Sequence, residues 1–383
     1  MTVVILVEGL SAQEDPPLHQ LSPALADLAA RGRNGTLAWP QEEIDSTLEG
    51  PGLFALFGVP QSPSAGQDLP TGHLLARYSG LADDPQLGWA CLGFTHLHQV
   101  GTELRFVSPQ RTGQSREEVA ALAQLLATEY PLDGWQVHAK REDFLLLSTT
   151  HPARVKTTPL AHLDGRTALE VWPKGPDAPS LIKLLTSGQM LLSRHPLNRD
   201  RLAQGRLPLN TPWIWGVGRD DDVINPALPV KGVCWSAEPM LAGLAHNDGW
   251  EPTLFADNDD TLPTGLLADI LTRIEQKRRA MVHVRLPALL ARHGLAARRA
   301  EYLRRLDDQL WTPLATALQA GSTQLVILAG PLLTRSGEIT SGSSPWVVIS
   351  GEGSSRWSRF WQTHPWGKGE TLSMADFRRE WMI

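Results

Sequence analysis

The sequence has few cysteines, few tyrosines and no long apolar or basic run. Only Cys91 and Cys234 occur, and neither has a second cysteine at the spacing of a metal or redox pair, so a disulfide framework or a thiolate zinc site is not expected. The apolar stretch at residues 2–7 is too short to cross a bilayer and lacks the basic region and cleavage site of a signal peptide. We expect a cytoplasmic protein with no membrane partner.

The charge of the chain gives no support for a partner that is bound electrostatically. The 383 residues carry a formal net charge of −6 and no block of lysines or arginines. A chain that binds nucleic acid through its phosphates needs such a basic surface. We therefore expect no nucleic-acid partner.

Strands and helices alternate at both ends of the chain. Thr2–Val7 is a β-branched run typical of a strand buried on both faces, and Ser22 and Pro23 begin a predicted helix that Gly32 ends. A long helix is predicted over residues 296–320, with leucines along one stripe, and buried strands over 324–329 and 346–350. This pattern predicts an α/β fold with a doubly wound sheet core formed by both ends of the chain.

The middle of the chain has a different pattern. Strand-like pieces follow one another from Gly88, and a helix begins near Ser115, where Ser115 and Glu118 have the spacing of a capping box. We therefore predict an inserted α+β domain over 76–204, with 1–75 and 205–383 forming the discontinuous core. Within the insert, His96 and His98 alternate along a strand, so they share one face and form a possible metal-ligand pair that lacks a third partner.

The fourteen tryptophans are concentrated in the C-terminal half. One interpretation is an aromatic core that fills space. The other is a protein-binding face near residues 357–366, where tryptophan and arginine interleave.

One segment combines specific polar residues, turn residues and a strand. Residues 195–218 read H-P-L-N-x2-R-x3-G-x4-N-x3-I-W-G-x-G. This segment resembles the cofactor-independent phosphoglycerate mutases of the archaeal type, which belong to the alkaline phosphatase superfamily. Residues 22–32, 71–91, 115–126, 283–294 and 328–351 resemble further segments of that family in the same order. The resemblance implies an alkaline-phosphatase-like fold.

The resemblance also implies a metal-dependent chemistry. In that family two Mn²⁺-like ions are held by Asp and His side chains, and a serine is transiently phosphorylated while a phosphoryl group moves between the glycerate hydroxyls. Two hard cations need several carboxylate or imidazole ligands. The residual ligand candidates here are Glu8, which replaces the Asp of an Asp-Gly pair, and His293, which matches only with one inserted residue.

Most of the other functional positions depart from the family pattern. The nucleophile position falls on Glu49, or on Ser46 if a short gap is allowed, and a metal-ligand Asp falls on Ala288 or Leu289. The Asp-His pair is replaced by Gly330 and Pro331. On the substrate side, an expected arginine falls on Cys91, and Arg111 is what remains of a motif rich in arginine.

Three hypotheses follow from these departures. The first is a catalytically degenerate relative of the mutase with a regulatory, scaffolding or binding role, for which no cofactor is expected and the partner is an unknown protein. The second is an active mutase that uses Mn²⁺ or Mg²⁺ and brings Glu8, His293, Asp307 and another acid together, although the pattern around Asp307 is more typical of an exposed helix residue. The third is a binder of a small anionic ligand without turnover. Its expected ligand-binding residues are Arg111, His195, Asn198, Arg201 and Asn210.

Overall fold

A computed structural model of the protein divides the chain into two compact units. The first contains Met1–Gly58 and Pro226–Ile383, and the second contains Val59–Asn225. The structure describes residues 2–10, 17–38, 57, 68–129, 134–141, 144–219, 231–255, 262–263, 265–276, 278–292, 295–318, 324–329, 343–350 and 370–382. Among these residues no helix is long and apolar enough to span a membrane.

The first unit is built on an eight-stranded mixed sheet. Its strands are β1 (Thr2–Val7), β2 (Arg33–Ala38), β8 (Gly232–Ser236), β9 (Trp250–Leu254), β10 (Arg279–Val284), β11 (Gln324–Ala329), β12 (Ser343–Ser350) and β13 (Glu370–Ser373). They lie in the order β13-β2-β12-β11-β1-β10-β8-β9. The strands from β11 to β9 run parallel, whereas β12 is antiparallel to both of its neighbours.

The N-terminal strand lies in the middle of this sheet because nearly all of its side chains are apolar. Val4 pairs with Met281 on one side and with Val326 on the other, and residues 3–7 are fully buried. A strand covered on both faces can carry such an uninterrupted apolar run. The α/β sheet core that the sequence predicts from both ends of the chain is confirmed.

Helices flank the sheet of the first unit. They are α1 (Leu18–Leu21), α2 (Pro23–Arg31), α9 (Pro239–Asn247), α10 (Leu266–Glu275), α11 (Leu286–Arg292), α12 (Ala296–Leu306), α13 (Thr312–Leu318) and α14 (Met374–Phe377). Residues 307–311 and 378–382 form π-helical turns. The helix predicted over 296–320 is thus confirmed over 296–318, with a π-helical turn at 307–311.

Asp307 caps the N-terminus of α2 from a distant part of the chain. Its carboxylate accepts hydrogen bonds from the backbone N–H groups of Ala24 (3.0 Å) and Leu25 (3.1 Å) and from the hydroxyl of Ser22. The N-terminal N–H groups of a helix favour a negative charge, so this contact stabilises α2. Ser22 is the N-cap residue of α2, as predicted, although its own side chain makes no capping hydrogen bond. The expectation that Asp307 is an exposed helix residue was wrong, because Asp307 is buried.

The second unit contains a five-stranded antiparallel sheet. Its strands are β3 (Gly88–Val100), β4 (Glu103–Val107), β5 (Trp135–Arg141), β6 (Phe144–Thr149) and β7 (Thr211–Gly218). Strand β3 is the longest, and it pairs with β6 and β7 through its first half and with β4 through its second half.

Helices of the second unit pack on this sheet. They are α3 (Thr71–Tyr78), α4 (Pro109–Thr112), α5 (Arg116–Glu129), α6 (Ala168–Val171), α7 (Ala178–Leu192) and α8 (Pro196–Ala203). The predicted capping box of α5 is confirmed, because the Ser115 N–H donates to the Glu118 carboxylate at 2.8 Å and the Glu118 N–H reaches the Ser115 hydroxyl at 3.3 Å. The apolar core of this unit includes Phe94, Phe106 and Trp213.

The second unit extends beyond the predicted insert at both ends. The sequence placed residues 59–75 and 205–225 in the core, but β7 pairs with β3 over Thr211–Gly218 and α3 packs on β3 and β7. The apolar pattern of β7 would fit a strand of either sheet. Only its pairing partner decides which sheet it joins, and the sequence does not reveal that partner. The boundaries predicted at 75/76 and 204/205 are therefore displaced.

Candidate functional site

Three polar side chains meet at the carboxyl ends of adjacent parallel strands. Glu8 follows β1, His283 lies near the end of β10, and Ser236 ends β8. The His283 Nε2 lies 2.8 Å from the Glu8 carboxylate, and its Nδ1 lies 2.9 Å from the Ser236 hydroxyl. The edge formed by strand carboxyl ends is where open α/β sheets place their functional groups, so we treat this cluster as the candidate site.

The hydrogen bonds of this cluster run in one consistent direction. The backbone N–H of Glu238 donates to the Ser236 hydroxyl at 2.9 Å. Ser236 can then donate to Nδ1 of His283, and the Nε2–H of His283 can donate to Glu8, so every group has a partner. All three side chains are buried. The arrangement fixes the imidazole and occupies one oxygen of the Glu8 carboxylate.

The space next to Glu8 is filled by backbone. Gly9 has φ +80°, and a Cβ at this position would lie 2.5 Å from the backbone nitrogen of Ala288. Ala288 begins α11 with Leu286 and Pro287 and is buried. The resemblance expects a metal-ligand Asp at Ala288 or at Leu289, and neither side chain is anionic. An ion pair between Arg285 and Glu238 lies at the same edge of the sheet.

Several predicted site residues cannot be placed. Ser46, Glu49, His293, Gly330 and Pro331 lie outside the described residues, as does the side chain of Leu289. Within the part of the chain that the structure describes, no three His, Cys, Asp or Glu side chains are grouped so that they could hold a metal ion. Asp307 is engaged at the N-terminus of α2 and does not join Glu8.

The substrate-side positions lie in the second unit. Cys91, where an arginine was expected, is fully buried in β3, and burial raises the pKa of its thiol, so it is a neutral core residue. Arg111 lies in α4 with a side chain that is 58% exposed, and its guanidinium is 3.5 Å from the Asp164 carboxylate. Arg111 is thus available to solvent, whereas Cys91 is not.

The other predicted ligand-binding residues are bonded within the protein. His195 is the N-cap of α8, where its Nδ1 accepts from the Leu197 N–H at 3.3 Å. The Asn198 amide donates to the carbonyls of Leu192 (2.8 Å) and Leu209 (3.0 Å) and accepts from the Leu209 N–H (2.7 Å). The residue thereby holds the end of α7 and the start of β7 against α8.

Arg201 has a similar structural environment. It is 1% exposed, and its guanidinium donates to the carbonyls of Leu207 (2.7 Å) and Thr112 (2.5 Å) and to the Glu118 carboxylate (2.5 Å). Partial burial opposes ionisation of Glu118, but hydrogen bonds from Ser115 and Arg201 hold the pKa of that carboxyl below its usual range. Arg201, which belongs to the segment at residues 195–218 that resembles the family, therefore joins α8 to α4 and α5.

Asn210 completes the pairing of β3 where a strand neighbour is missing. Its amide oxygen accepts from the Leu97 N–H, and its amide nitrogen donates to the Leu97 carbonyl, both at 2.8 Å. The side chain imitates a backbone pair at this point of the sheet. Whether any of these five residues also contacts a ligand stays a prediction.

Asp68 is a buried acid that the sequence did not identify as important. It accepts hydrogen bonds from the N–H groups of Thr157 (2.6 Å), Gly216 (2.9 Å) and Val217 (3.3 Å) and from the Thr157 hydroxyl. Burial raises the pKa of Asp68 to about 6, against the opposing effect of these bonds. Only glycine suits position 216, because the φ of Gly216 is +65° and a Cβ would contact Thr71. A single acid in a long turn-rich segment gives no sequence signal for such a role.

Comparisons with known proteins identify distant relatives. No protein-family model matches the chain. A probable 2,3-bisphosphoglycerate-independent phosphoglycerate mutase from Geobacter sulfurreducens is 24% identical over 252 residues, which are 63% of this chain and 61% of that protein. The 2,3-bisphosphoglycerate-independent phosphoglycerate mutase from Methanothrix thermoacetophila is 26% identical over 182 residues, 45% of each chain. The matched part thus spans less than two thirds of these relatives.

The fold is also shared with a solved structure. The PH0037 protein from Pyrococcus horikoshii superposes with a TM-score of 0.66 at 15% identity, covering 100% of this chain and 96% of that one. At this identity the superposition shows the fold alone. In sequence, over part of its length, the chain is similar to 2,3-bisphosphoglycerate-independent phosphoglycerate mutases.

Proposed function

We propose that this mutase-like protein has lost metal-dependent phosphoryl transfer and acts by binding, in a regulatory or scaffolding role. The observation that carries the proposal is the backbone of Ala288, which fills the space beside Gly9; the resemblance expects a metal-ligand carboxylate at Ala288 or Leu289, and neither residue has one. A site for two hard cations cannot replace an anionic oxygen ligand with an apolar side chain without losing most of its affinity.

The state of Glu8 supports the same proposal. Its carboxylate is buried and already hydrogen-bonded to His283, which is held in turn by Ser236. To coordinate a metal, Glu8 would have to give up this bond or share its second oxygen. The cluster is internally satisfied, as expected of a structural group.

The substrate side supports it as well. A buried neutral cysteine cannot bind a phosphate or carboxylate as an arginine does, and Arg201 is fully engaged inside the protein. Arg111 is the exposed cation of this set. A small anionic ligand would therefore be bound through Arg111, and a protein partner is the other possibility within the same proposal. A cytoplasmic location remains part of this prediction.

The alternative is an active 2,3-bisphosphoglycerate-independent mutase that interconverts 2- and 3-phosphoglycerate. The observation in its favour is that Glu8 keeps a carboxylate at the carboxyl edge of the sheet. In that case Glu8 and His293 would take part in holding Mn²⁺ or Mg²⁺, which would stabilise the transferred phosphoryl group.

The deciding experiment couples metal analysis to a mutase assay. Purified full-length chain is loaded with Mn²⁺, dialysed and analysed for bound metal, and conversion of 3-phosphoglycerate to 2-phosphoglycerate is followed. We expect no stoichiometric Mn²⁺ and no turnover above background. A matched Glu8→Gln variant, purified identically, identifies contamination: activity that Glu8→Gln retains comes from a host enzyme, whereas activity that it abolishes would overturn the proposal.

The binding role has its own measurement. Calorimetric titration with 3-phosphoglycerate and with inorganic phosphate compares the wild type with Arg111→Ala. Lys183→Ala, which removes a cation from α7, serves as the charge-matched control. Binding that Arg111→Ala loses and Lys183→Ala keeps would support an anion site at Arg111; absence of binding in the wild type would direct the search to a protein partner.

A further inference from the structure

Two histidines form a stacked pair on the second half of β3. His96 and His98 lie on one face of this strand, as their alternation predicts, and their ring centroids are 5.3 Å apart with an interplanar angle of 10°. The nitrogen lone pairs of such rings lie in nearly parallel planes and cannot converge on one metal ion. The pair is therefore not the metal-ligand pair that the alternation suggested. Two adjacent imidazoles do, however, bind protons in the physiological pH range.

The surroundings of His96 favour its neutral form. Its Nδ1 lies 2.9 Å from the carbonyl oxygen of Pro208, and a carbonyl only accepts, so Nδ1 carries a proton and Nε2 is the nitrogen that would take up a second one. Burial lowers the pKa of His96, and the neighbouring His98 and the Arg201 guanidinium lower it further. A proton added to His96 therefore places a charge where the fold disfavours it.

His98 offers no stabilising contact for a charged ring at its buried nitrogen. Its Nδ1 is buried, and among the residues that the structure describes this atom has no hydrogen-bond partner. A protonated ring would bury an N–H group there without an acceptor, which costs free energy. Two imidazolium rings at the observed separation would also repel each other. The pair is thus arranged to hold both rings neutral.

The described carboxylates near the pair are already bound to arginines. Arg105 lies opposite His98 on β4, and its guanidinium is bonded to the Glu103 carboxylate at 2.5 Å. Near the other ring, Arg201 of α8 is bonded to the Glu118 carboxylate of α5, also at 2.5 Å. Each cation is therefore held close to the pair, while each of these carboxylates, which could otherwise stabilise an imidazolium, is occupied.

One of these cations belongs to the segment that the pair contacts. Arg201 donates to the carbonyl of the residue before Pro208 at 2.7 Å, and Pro208 itself faces His96. Asn210 then bonds both backbone groups of Leu97, the residue between the two histidines, at 2.8 Å. Residues 207–210 are thus fastened to β3 at the position where a charge on His96 would be repelled by Arg201.

We propose that the stacked histidine pair is an acid-sensitive switch whose protonation loosens the attachment of residues 207–210 to β3. The fold lowers the pKa of His96, so its contribution to stability is fully present above the ordinary value of 6.5 and is lost as the pH falls below that value. The switch lies in the second unit and uses none of the residues of the Glu8 cluster. It does not depend on the proposed binding role.

The test is amide hydrogen exchange of the full-length chain between pH 7.5 and pH 5.5, with rates corrected for intrinsic exchange. The reporter is the Leu97 N–H, which donates to the Asn210 side chain. We expect its protection factor to fall as the pH decreases. One histidine can change the local opening equilibrium by up to about tenfold for each pH unit below 6.5, and two can change it by more.

His96→Asn is the decisive variant, because its amide can still donate to the Pro208 carbonyl but does not titrate. We expect most of the acid-induced loss of protection to disappear in His96→Asn. His151→Asn is the matched control, since His151 is an exposed histidine of the same unit, and it should behave as the wild type does. The comparison is repeated in an Asp68→Asn background, because the pKa of Asp68 is about 6 and lies in the same range.

Histidine resonances keep the proposal testable if a variant folds poorly. In the wild type, the ring protons of His96 should titrate at a lower pH than those of the exposed His151. Loss of Leu97 protection in acid that His151→Asn keeps and His96→Asn lacks supports the switch. Titration of His96 at or above pH 6.5, protection of Leu97 that does not change with pH, or a loss that His96→Asn keeps in full would each overturn it.

Discussion

The guanidinium of Arg201 lies 2.5 Å from the carboxylate of Glu118, a residue 83 positions earlier in the chain. This pair joins the segment with the strongest family resemblance to the capping box of α5. Arg201, which resembles part of a functional motif, therefore stabilises the fold through this contact. The pair also brings Arg206 to the same carboxylate, at 2.8 Å.

Replacing Arg201 should destabilise the protein strongly. Arg201→Met leaves Glu118 and two backbone carbonyls without their buried partner, and we expect a loss of about 3–5 kcal/mol in the free energy of unfolding. Arg206→Met is the control, because Arg206 is 35% exposed and its loss should cost about 1 kcal/mol or less. Urea denaturation followed by tryptophan fluorescence measures both. Equal effects of the two variants would contradict the structural role of Arg201.

Asn198 should be intolerant of an isosteric change. Asn198→Asp keeps the shape but turns a donor toward the carbonyls of Leu192 and Leu209 into an acceptor. We expect a loss of about 1–3 kcal/mol, as for other buried groups that lose their partner. Asp200→Asn on the exposed side of the same helix is the control and should be neutral. A wild-type denaturation midpoint for Asn198→Asp would argue that the amide nitrogen is not needed.

Glu8 should stabilise the protein without any metal. In buffer with a chelator, Glu8→Ala leaves the Nε2 of His283 unpaired in a buried position, so we expect a loss of about 1–3 kcal/mol. The double variant Glu8→Ala/His283→Ala should lose less than the sum of the single variants, because the two side chains are in contact. If Glu8→Ala were instead more stable than the wild type, the buried carboxylate would destabilise the metal-free protein, as expected of a metal ligand without its cation.

Asp68 should make stability depend on pH. Burial raises its pKa in the folded protein to about 6, above its ordinary 3.8, so folding favours the protonated form. The contribution is fully present below about pH 3.8 and is lost as the pH rises through about 6. The difference between the two values corresponds to about 3 kcal/mol.

The measurement compares wild type with Asp68→Asn between pH 4 and pH 8. The Asn side chain keeps the volume and does not titrate, so the difference in unfolding free energy isolates Asp68. We expect wild type to gain stability relative to the variant as the pH falls. A gain in the opposite direction would mean that the hydrogen bonds from Thr157, Gly216 and Val217 outweigh burial.

Local patterns in the sequence predicted many of the elements. The strand at residues 2–7, the helix after Ser22 and the capping box at Ser115 are confirmed because each depends on neighbouring residues. The helix predicted over 296–320 is confirmed over 296–318, but its π-helical turn at 307–311 and the contact of the Asp307 carboxylate with the N-terminus of α2 were not predicted. That contact joins residues far apart in the chain, and no local pattern reveals it.

The candidate site was predictable only in part. The resemblance predicted functional positions at Glu8 and at Ala288 or Leu289, but it did not indicate that His283 and Ser236 complete the contacts of Glu8. These three residues come from strands that are neighbours in the sheet and distant in sequence. The alternation of His96 and His98 was visible because a strand has a fixed period of two residues.

The sequence by itself determined the α/β fold class and the family resemblance. Only the tertiary structure decided that β7 belongs to the sheet of the second unit, that Asn198 and Arg201 are bonded internally, and that Asp68 is a buried acid. The physical reason is that periodicity and side-chain type are local properties. Strand partners, burial and hydrogen-bond acceptors are set by residues that meet only when the chain has folded.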